Sequence, residues 1–326
     1  MAFFAEIFDS EGIAYKTYEA SAGRGSISAI IPGSVNGVQY LLNNYWKDIQ
    51  ADLVINEGGF GISDVLPDRP LFMIATAEKG VCRVKLKRSG PPGHGSVPHG
   101  ENALEKLVLG LGRLLQKDNP VTITPLIAEY FKQLGSSWKF LKPYLQDGKP
   151  ETLVEILTRE GMLNIPQMAA VLKNTISLNM MAAGNKVNVI PSAAEADLDV
   201  RLLPGTDPES VIAEIKKHLA DEDIQVESGG TFRATESSMD TEDFAIIKEA
   251  HRAHFPDALV VASLLFGASD SRFFRKKGIP CYGVCPILLS LEEIDKIHGI
   301  DERISEENMI RGSEIFIDIV KKLCGF

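Results

Sequence analysis

Four cysteines in 326 residues, scattered at Cys82, Cys281, Cys285 and Cys324, are too few for a disulfide framework. Such sparse usage fits a reducing compartment, and the N-terminal residues show neither the basic region nor the small-residue cleavage site of a secretory signal. The cytoplasm is the expected location. No apolar run approaches the roughly 20 residues that cross a bilayer. No segment is dense in lysine and arginine, and the formal net charge is −10, which argues against nucleic acid or an anionic membrane as partner. Repeats and low-complexity segments are also missing. What is present is ordinary globular composition, 44 % hydrophobic and 24 % charged, ample for a large core or two domains. Cys281 and Cys285 lie in an apolar strand-like run and read as buried free thiols rather than a metal clip.

Hydrophobic periodicity orders the elements. An apolar helical stripe runs over Phe3 to Phe8, so that the chain opens in mid-helix. A short strand follows over 26–31, a helix over 38–46, a buried strand over 53–56 and another strand over 72–77. Alternation of this kind favours an α/β layer with a largely parallel sheet. Around Lys79-Gly80 the pattern shifts to amphipathic strands with one wet face, starting with the run 81–88. A helix is predicted over 101–115, then a helical stretch over 121–173 anchored by Tyr130, Phe131, Trp138 and Tyr144. Strands at 174–181 and 194–203, a helix at 208–220 and a strand at 224–227 complete this middle section. From about Thr235 the α/β pattern resumes, with a helix over 241–254 whose start carries Asp240, Glu242 and Asp243, anions that the amino-terminal dipole favours. A strand over 260–266, a short basic helix over 270–277, a strand over 281–285 and a closing helix from 305 to about 323 follow.

Five blocks carry chemistry-bearing residues. The loop Gly90-Pro91-Pro92-Gly93-His94-Gly95-Ser96 presents a histidine where prolines restrict the backbone and glycines allow close approach. By itself it also fits an ordinary turn. Before it stands Asp52-Leu53-Val54-Ile55-Asn56-Glu57-Gly58-Gly59; after it come Lys186-Val187-Asn188-Val189-Ile190-Pro191 with Asp197 to Gly205, then Gly267 to Arg275, then His298 to Ile304. In this order they resemble the M20 family of zinc-dependent amidohydrolases and exopeptidases, which includes aminoacylases and carboxypeptidases. The resemblance runs from Glu6 onward. It implies an α/β fold: a mostly parallel-sheet catalytic domain in two parts, residues 1–79 and 235–326, with an inserted α+β lid and dimerisation domain over 80–234. It also implies a homodimer, two zinc ions per subunit, and cleavage of an amide bond in an N-acyl amino acid or a small peptide with a free carboxylate.

By the same resemblance Glu57 is the terminal carboxylate ligand of one zinc and His298 the imidazole ligand of the other. His94 matches the lid histidine that reaches a neighbouring subunit's site and stabilises a tetrahedral oxyanion. Asn188 and Arg201 match the lid pair that grips the substrate carboxylate, for which a guanidinium is the natural fork. Arg201 has an alternative: pairing with Asp197 or Asp199 on the sheet surface. Arg272 is expected to contact substrate, with Arg275 as its competitor. Ser269 stands where a threonine is usual.

The family's remaining metal ligands, a His-x-Asp segment, a bridging aspartate and a Glu-Glu pair, have no counterpart ahead of Glu57. No histidine precedes His94, and no Glu-Glu pair precedes Glu57. Residues 24–34 resemble the strand before the first metal motif, and residues 35–42 resemble the helix after the Glu-Glu pair. A catalytic zinc takes about three protein ligands plus water, so hydrolysis is expected to be weak or absent. The alternative is a non-catalytic dimerising remnant that binds amino-acid carboxylates. Loss of central strands would also leave apolar faces uncovered, so the catalytic half is expected to lean on the lid or on a partner.

Overall fold

The computed structural model describes residues 15–21, 24–29 and 37–325, with side chains from residue 37 onward except Asp48. The apolar stripe expected at Phe3 to Phe8 and the end of the strand expected at 26–31 lie outside the described residues. Two compact units are distinguished, residues 1–52 and 53–326. The first contains the antiparallel hairpin of β1 (Tyr15–Ser21) and β2 (Arg24–Ala29) and two short helices, Gly37–Asn44 and Trp46–Ile49. The single helix expected over 38–46 is interrupted at Tyr45, whose backbone leaves the helical region at φ −126° and ψ 27°.

The second unit is built on two sheets. In chain order its strands are β3 (Val54–Asn56), β4 (Gly61–Ile62), β5 (Leu71–Glu78), β6 (Gly80–Ser89), β7 (Gly93–His94), β8 (Thr175–Ala183), β9 (Val189–Ile190) and β10 (Ala193–Leu202). They continue with β11 (Ile224–Phe232), β12 (Thr235–Glu236), β13 (Leu259–Leu265), β14 (Cys281–Gly283) and β15 (Leu288–Leu289). The large sheet centres on β5, an almost wholly buried strand, as an apolar run without polar alternation should be. β13 pairs with β5 in parallel, β14 with β3 and β15 with β4 likewise, whereas β4, β12 and β14 meet β5 antiparallel. The α/β class therefore holds, and the longer ladders of this sheet are parallel, with short antiparallel pairings at β4, β12 and β14. The reason for the β4 exception is local. The connection over 63–70 is shorter than the dozen or so residues of a crossover, so β4 must return beside β5 antiparallel.

The smaller sheet has the order β11-β6-β10-β8 and is antiparallel throughout. Along β6 and β10, alternate residues turn inward to a core of Val84, Leu86, Leu198 and Val200, closed by the helices Ala103–Leu115 and Pro208–Leu219. The other face carries ion pairs such as Lys85–Glu195 and Lys87–Glu227. Asn102 caps the first helix and Asp207 the second, each side chain accepting a backbone N–H.

The helical stretch over 125–172 does not join this core. Ile127, Phe131, Leu141, Leu153 and Leu157 pack instead with Phe72, Val260, Val261 and Tyr282 of the large sheet. Residues 80–234 thus contribute to both cores.

Candidate functional site

β3 ends at Asn56, and the chain turns sharply through Glu57-Gly58-Gly59. Gly58 and Gly59 have φ of +115° and +72°, a region costly for residues with a Cβ. A Cβ on Gly59 would run into the Met73 carbonyl oxygen and lie 2.9 Å from that of Gly283. The turn therefore lies flat against the sheet, and the exposed Glu57 is presented beside it. Asn56 fixes the turn from both sides: its Oδ1 accepts from Glu57 N at 2.8 Å, and its Nδ2 donates to Ser271 Oγ at 3.2 Å. Gly59→Ala should destabilise the chain by at least about 2 kcal/mol, read from urea denaturation; an unchanged midpoint would refute this account of the turn.

Ser271 opens the short helix Ser271–Arg275, which a buried ion pair anchors from below. Glu78 accepts from Arg275 Nη1 at 3.0 Å, from Ser269 N at 2.6 Å and from Thr235 Oγ1 at 3.3 Å. Arg275 also donates to Ser237 Oγ and to the Cys281 carbonyl. With all of its reach taken up inside the protein, Arg275 is no competitor for substrate. The side chain of Arg272, one turn earlier, has no hydrogen-bond or ion-pair partner among the described residues; its guanidinium lies against the rings of Phe232 and Phe273. Burial pushes the nearby Cys281 thiol up to about 11, and all four cysteines are free.

At the other end of the smaller sheet, β7 and β9 form a two-stranded ribbon that prolongs β6 and β10. His94 stands opposite Val189, and Gly95 N donates to the Asn188 carbonyl at 2.8 Å. His94 and Asn188 are therefore brought side by side. Ser96 Oγ lies 2.8 Å from His94 Nδ1, which leaves Nε2 without a partner among the described residues.

Arg201 is elsewhere. It sits eight residues along β10 from Ala193, about 27 Å at the usual strand rise, next to the junction of the two sheets. There it makes the surface pair that was its alternative, with Nε and Nη2 bonded to Asp199 at 2.7 and 3.0 Å. One chain therefore groups His94 with Asn188, and Arg201 with the Arg272 end, but does not bring the two groups together.

His298 is exposed and has φ +61°, a left-handed conformation that histidine enters more readily than most residues. Glu57 and His298 lie on separate loops. Among the described residues, no three His, Cys, Asp or Glu side chains stand together as a metal site. The described donor set therefore does not fit a catalytic zinc.

Sequence reasoning passed over Glu78 and Lys79. Lys79 is buried, and its Nζ donates to the carbonyls of Ala170 and Lys173 at 2.8 Å each and to Thr175 Oγ1 at 3.4 Å. Burial, and then Arg201, lower its pKa from 10.5 to about 8. The available signal was a charged dipeptide closing the most apolar strand.

Residues 76–227 match the peptidase dimerisation domain of the M20 family. Among curated relatives, human N-fatty-acyl-amino acid synthase/hydrolase PM20D1 is 27 % identical over 266 residues, covering 79 % of this chain and 53 % of the relative. The probable carboxypeptidase S-like 2 of Dictyostelium discoideum is 24 % identical over 302 residues, covering 89 % and 56 %. The chain spans about half the length of these curated relatives. Among solved structures, an M20 metallo-carboxypeptidase from Sulfolobus solfataricus superposes with a TM-score of 0.60 at 19 % identity, covering 88 % of this chain and 67 % of that one. Human carnosine dipeptidase 1 superposes at 0.57 and 16 %, covering 90 % and 64 %. The fold is that of the M20 peptidases, and no helix among the described residues is long and apolar enough to cross a membrane.

Proposed function

We propose that this chain is an M20-type amide hydrolase by descent, acting on N-acyl amino acids or small peptides with a free carboxylate. In this reading it works as a homodimer in the cytoplasm, with residues 80–234 as lid and residues 1–79 and 235–326 as the catalytic part. The relatives' names support the substrate class. A fatty-acyl amino acid, a dipeptide and a peptide's carboxy terminus share an amide bond next to a carboxylate-bearing residue.

The observation that carries the reading is the ribbon that holds His94 beside Asn188, far from Arg201 and Arg272 on the same chain. A dimer resolves this separation, because the ribbon of one subunit can complete the carboxylate-binding end of the other. His94 then donates to the oxygen that becomes negative as the amide carbon turns tetrahedral, while Arg272 and Arg201 hold the carboxylate. For Arg201 that requires exchanging Asp199 for substrate.

Zinc supplies an activated water in such enzymes, and Glu57 and His298 are its candidate ligands here. Two ligands fall short of about three, so hydrolysis by this chain is expected to be weak. Metal analysis of the purified 326-residue protein, alongside hydrolysis of N-acetyl amino acids, tests this: below one zinc per chain with slow turnover is expected. Two zinc ions with brisk turnover that a chelator abolishes would overturn the account of the metal site. Carboxylate binding with no turnover at all would mark the second reading, a dimerising remnant without catalysis.

A further inference from the structure

Among the described residues, no anion is bonded to the guanidinium of Arg272. Its Cζ lies 4.8 Å from the centre of the Phe232 ring and 4.7 Å from that of Phe273, and the two rings meet edge-on at 5.9 Å. Its Nε is shut off from solvent yet has no acceptor. Lys276 Nζ sits 4.8 Å from the same Phe232 ring, adding a second positive charge. Glu78 is bonded to Arg275 and Ser269, and Asp199 to Arg201. The two rings flank the guanidinium on adjoining sides and fix its position, and a guanidinium held in this way offers paired N–H groups that suit a carboxylate.

The two rings come from different sheets. Phe273 belongs to the helix on the large sheet, whereas Phe232 ends β11 of the smaller one. Just before Phe232 the strand bulges: its register slips between Ser228 and Thr231, and Gly230 has φ +123°. Bulges of this kind re-aim the side chains that follow them. Beyond it, Phe232 stands opposite Val81, which stands opposite Arg201 on its other side. Directly opposed residues share a face, so Phe232 and Arg201 lie on the same wet face, two strand spacings or about 10 Å apart.

We propose that Phe232 is a positioning residue, holding the Arg272 guanidinium in place to receive the substrate's carboxylate and thereby tying that grip to the lid sheet. The inference rests on Arg272 being a substrate-binding residue. Titration calorimetry on the full chain tests it, with N-butanoyl-L-leucine and its uncharged carboxamide as probes. The wild type is expected to favour the acid. Phe232→Leu should reduce that preference roughly three- to tenfold while leaving carboxamide affinity unchanged, and Phe232→Tyr, which keeps the ring, should retain it. Full preference in Phe232→Leu, or equal loss in Phe232→Tyr, would overturn the role of the ring. A wild type that binds neither probe, or that shows the same preference after Arg272→Met, would instead overturn the underlying assignment of Arg272.

Discussion

Replacing Glu78 by alanine is expected to cost about 3–5 kcal/mol of unfolding free energy, the largest effect of any single substitution considered. Glu78 and Arg275 are only 2 % and 4 % exposed, so removal of the carboxylate strands a guanidinium where water cannot solvate it. Burial already weighs against the charge of Arg275, and Glu78 is the chief force opposing that effect. Ser269 N, which opens the turn into Ser271–Arg275, loses its acceptor as well. Removing both charges, as Glu78→Leu with Arg275→Met, should recover much of the loss, because a buried pair contributes less than either lone partner costs. Urea denaturation of Glu78→Leu, Arg275→Met and the double variant gives the cycle directly. A loss below about 1 kcal/mol for Glu78→Ala, within the range of an exposed pair, would show that the two charges are not locked together as described.

The neighbouring Lys79 should leave its mark in pH dependence. Its ammonium is held by two carbonyls and a hydroxyl, with Arg201 close by and no carboxylate among its partners. In the folded chain it loses its proton near pH 8, whereas in the unfolded chain it keeps it to about 10.5. Between those values the unfolded state binds more protons, so this group's contribution makes the protein more stable as pH rises. Below pH 8 the full cost of burying the charge is present, roughly 3 kcal/mol for a fall from 10.5 to about 8. The stability of wild type relative to Lys79→Met should therefore climb by a sizeable part of that figure between about pH 7 and pH 10. A difference that stays level, or falls, would mean that the amine reaches solvent.

These two residues mark the limit of sequence reading here. The strands and helices were largely legible because an apolar period of two or near 3.6 is written locally. Ser305 and Thr241 stand where their helices were expected to start, and each caps its helix. The His94 loop and the Glu57 turn were legible because glycine and proline act where they stand. Period, however, says which face is apolar and not which core it meets. The stretch over 125–172 looked like part of the inserted region and joined the large sheet.

By itself, then, the sequence determined the α/β class, the order of the elements and the candidate residues, all of which depend on near neighbours in the chain. Tertiary structure decided the partners. Glu78 meets Ser269 and Arg275 across 191 and 197 residues, and Arg272 meets a phenylalanine from another sheet. Arg201 and Asn188, expected as a pair, were set apart, Arg201 near the end of β10 and Asn188 beside the ribbon that precedes its start. Contacts of that range are fixed by strand pairing and register, where every residue's neighbours depend on how distant segments align, and no local pattern encodes that alignment.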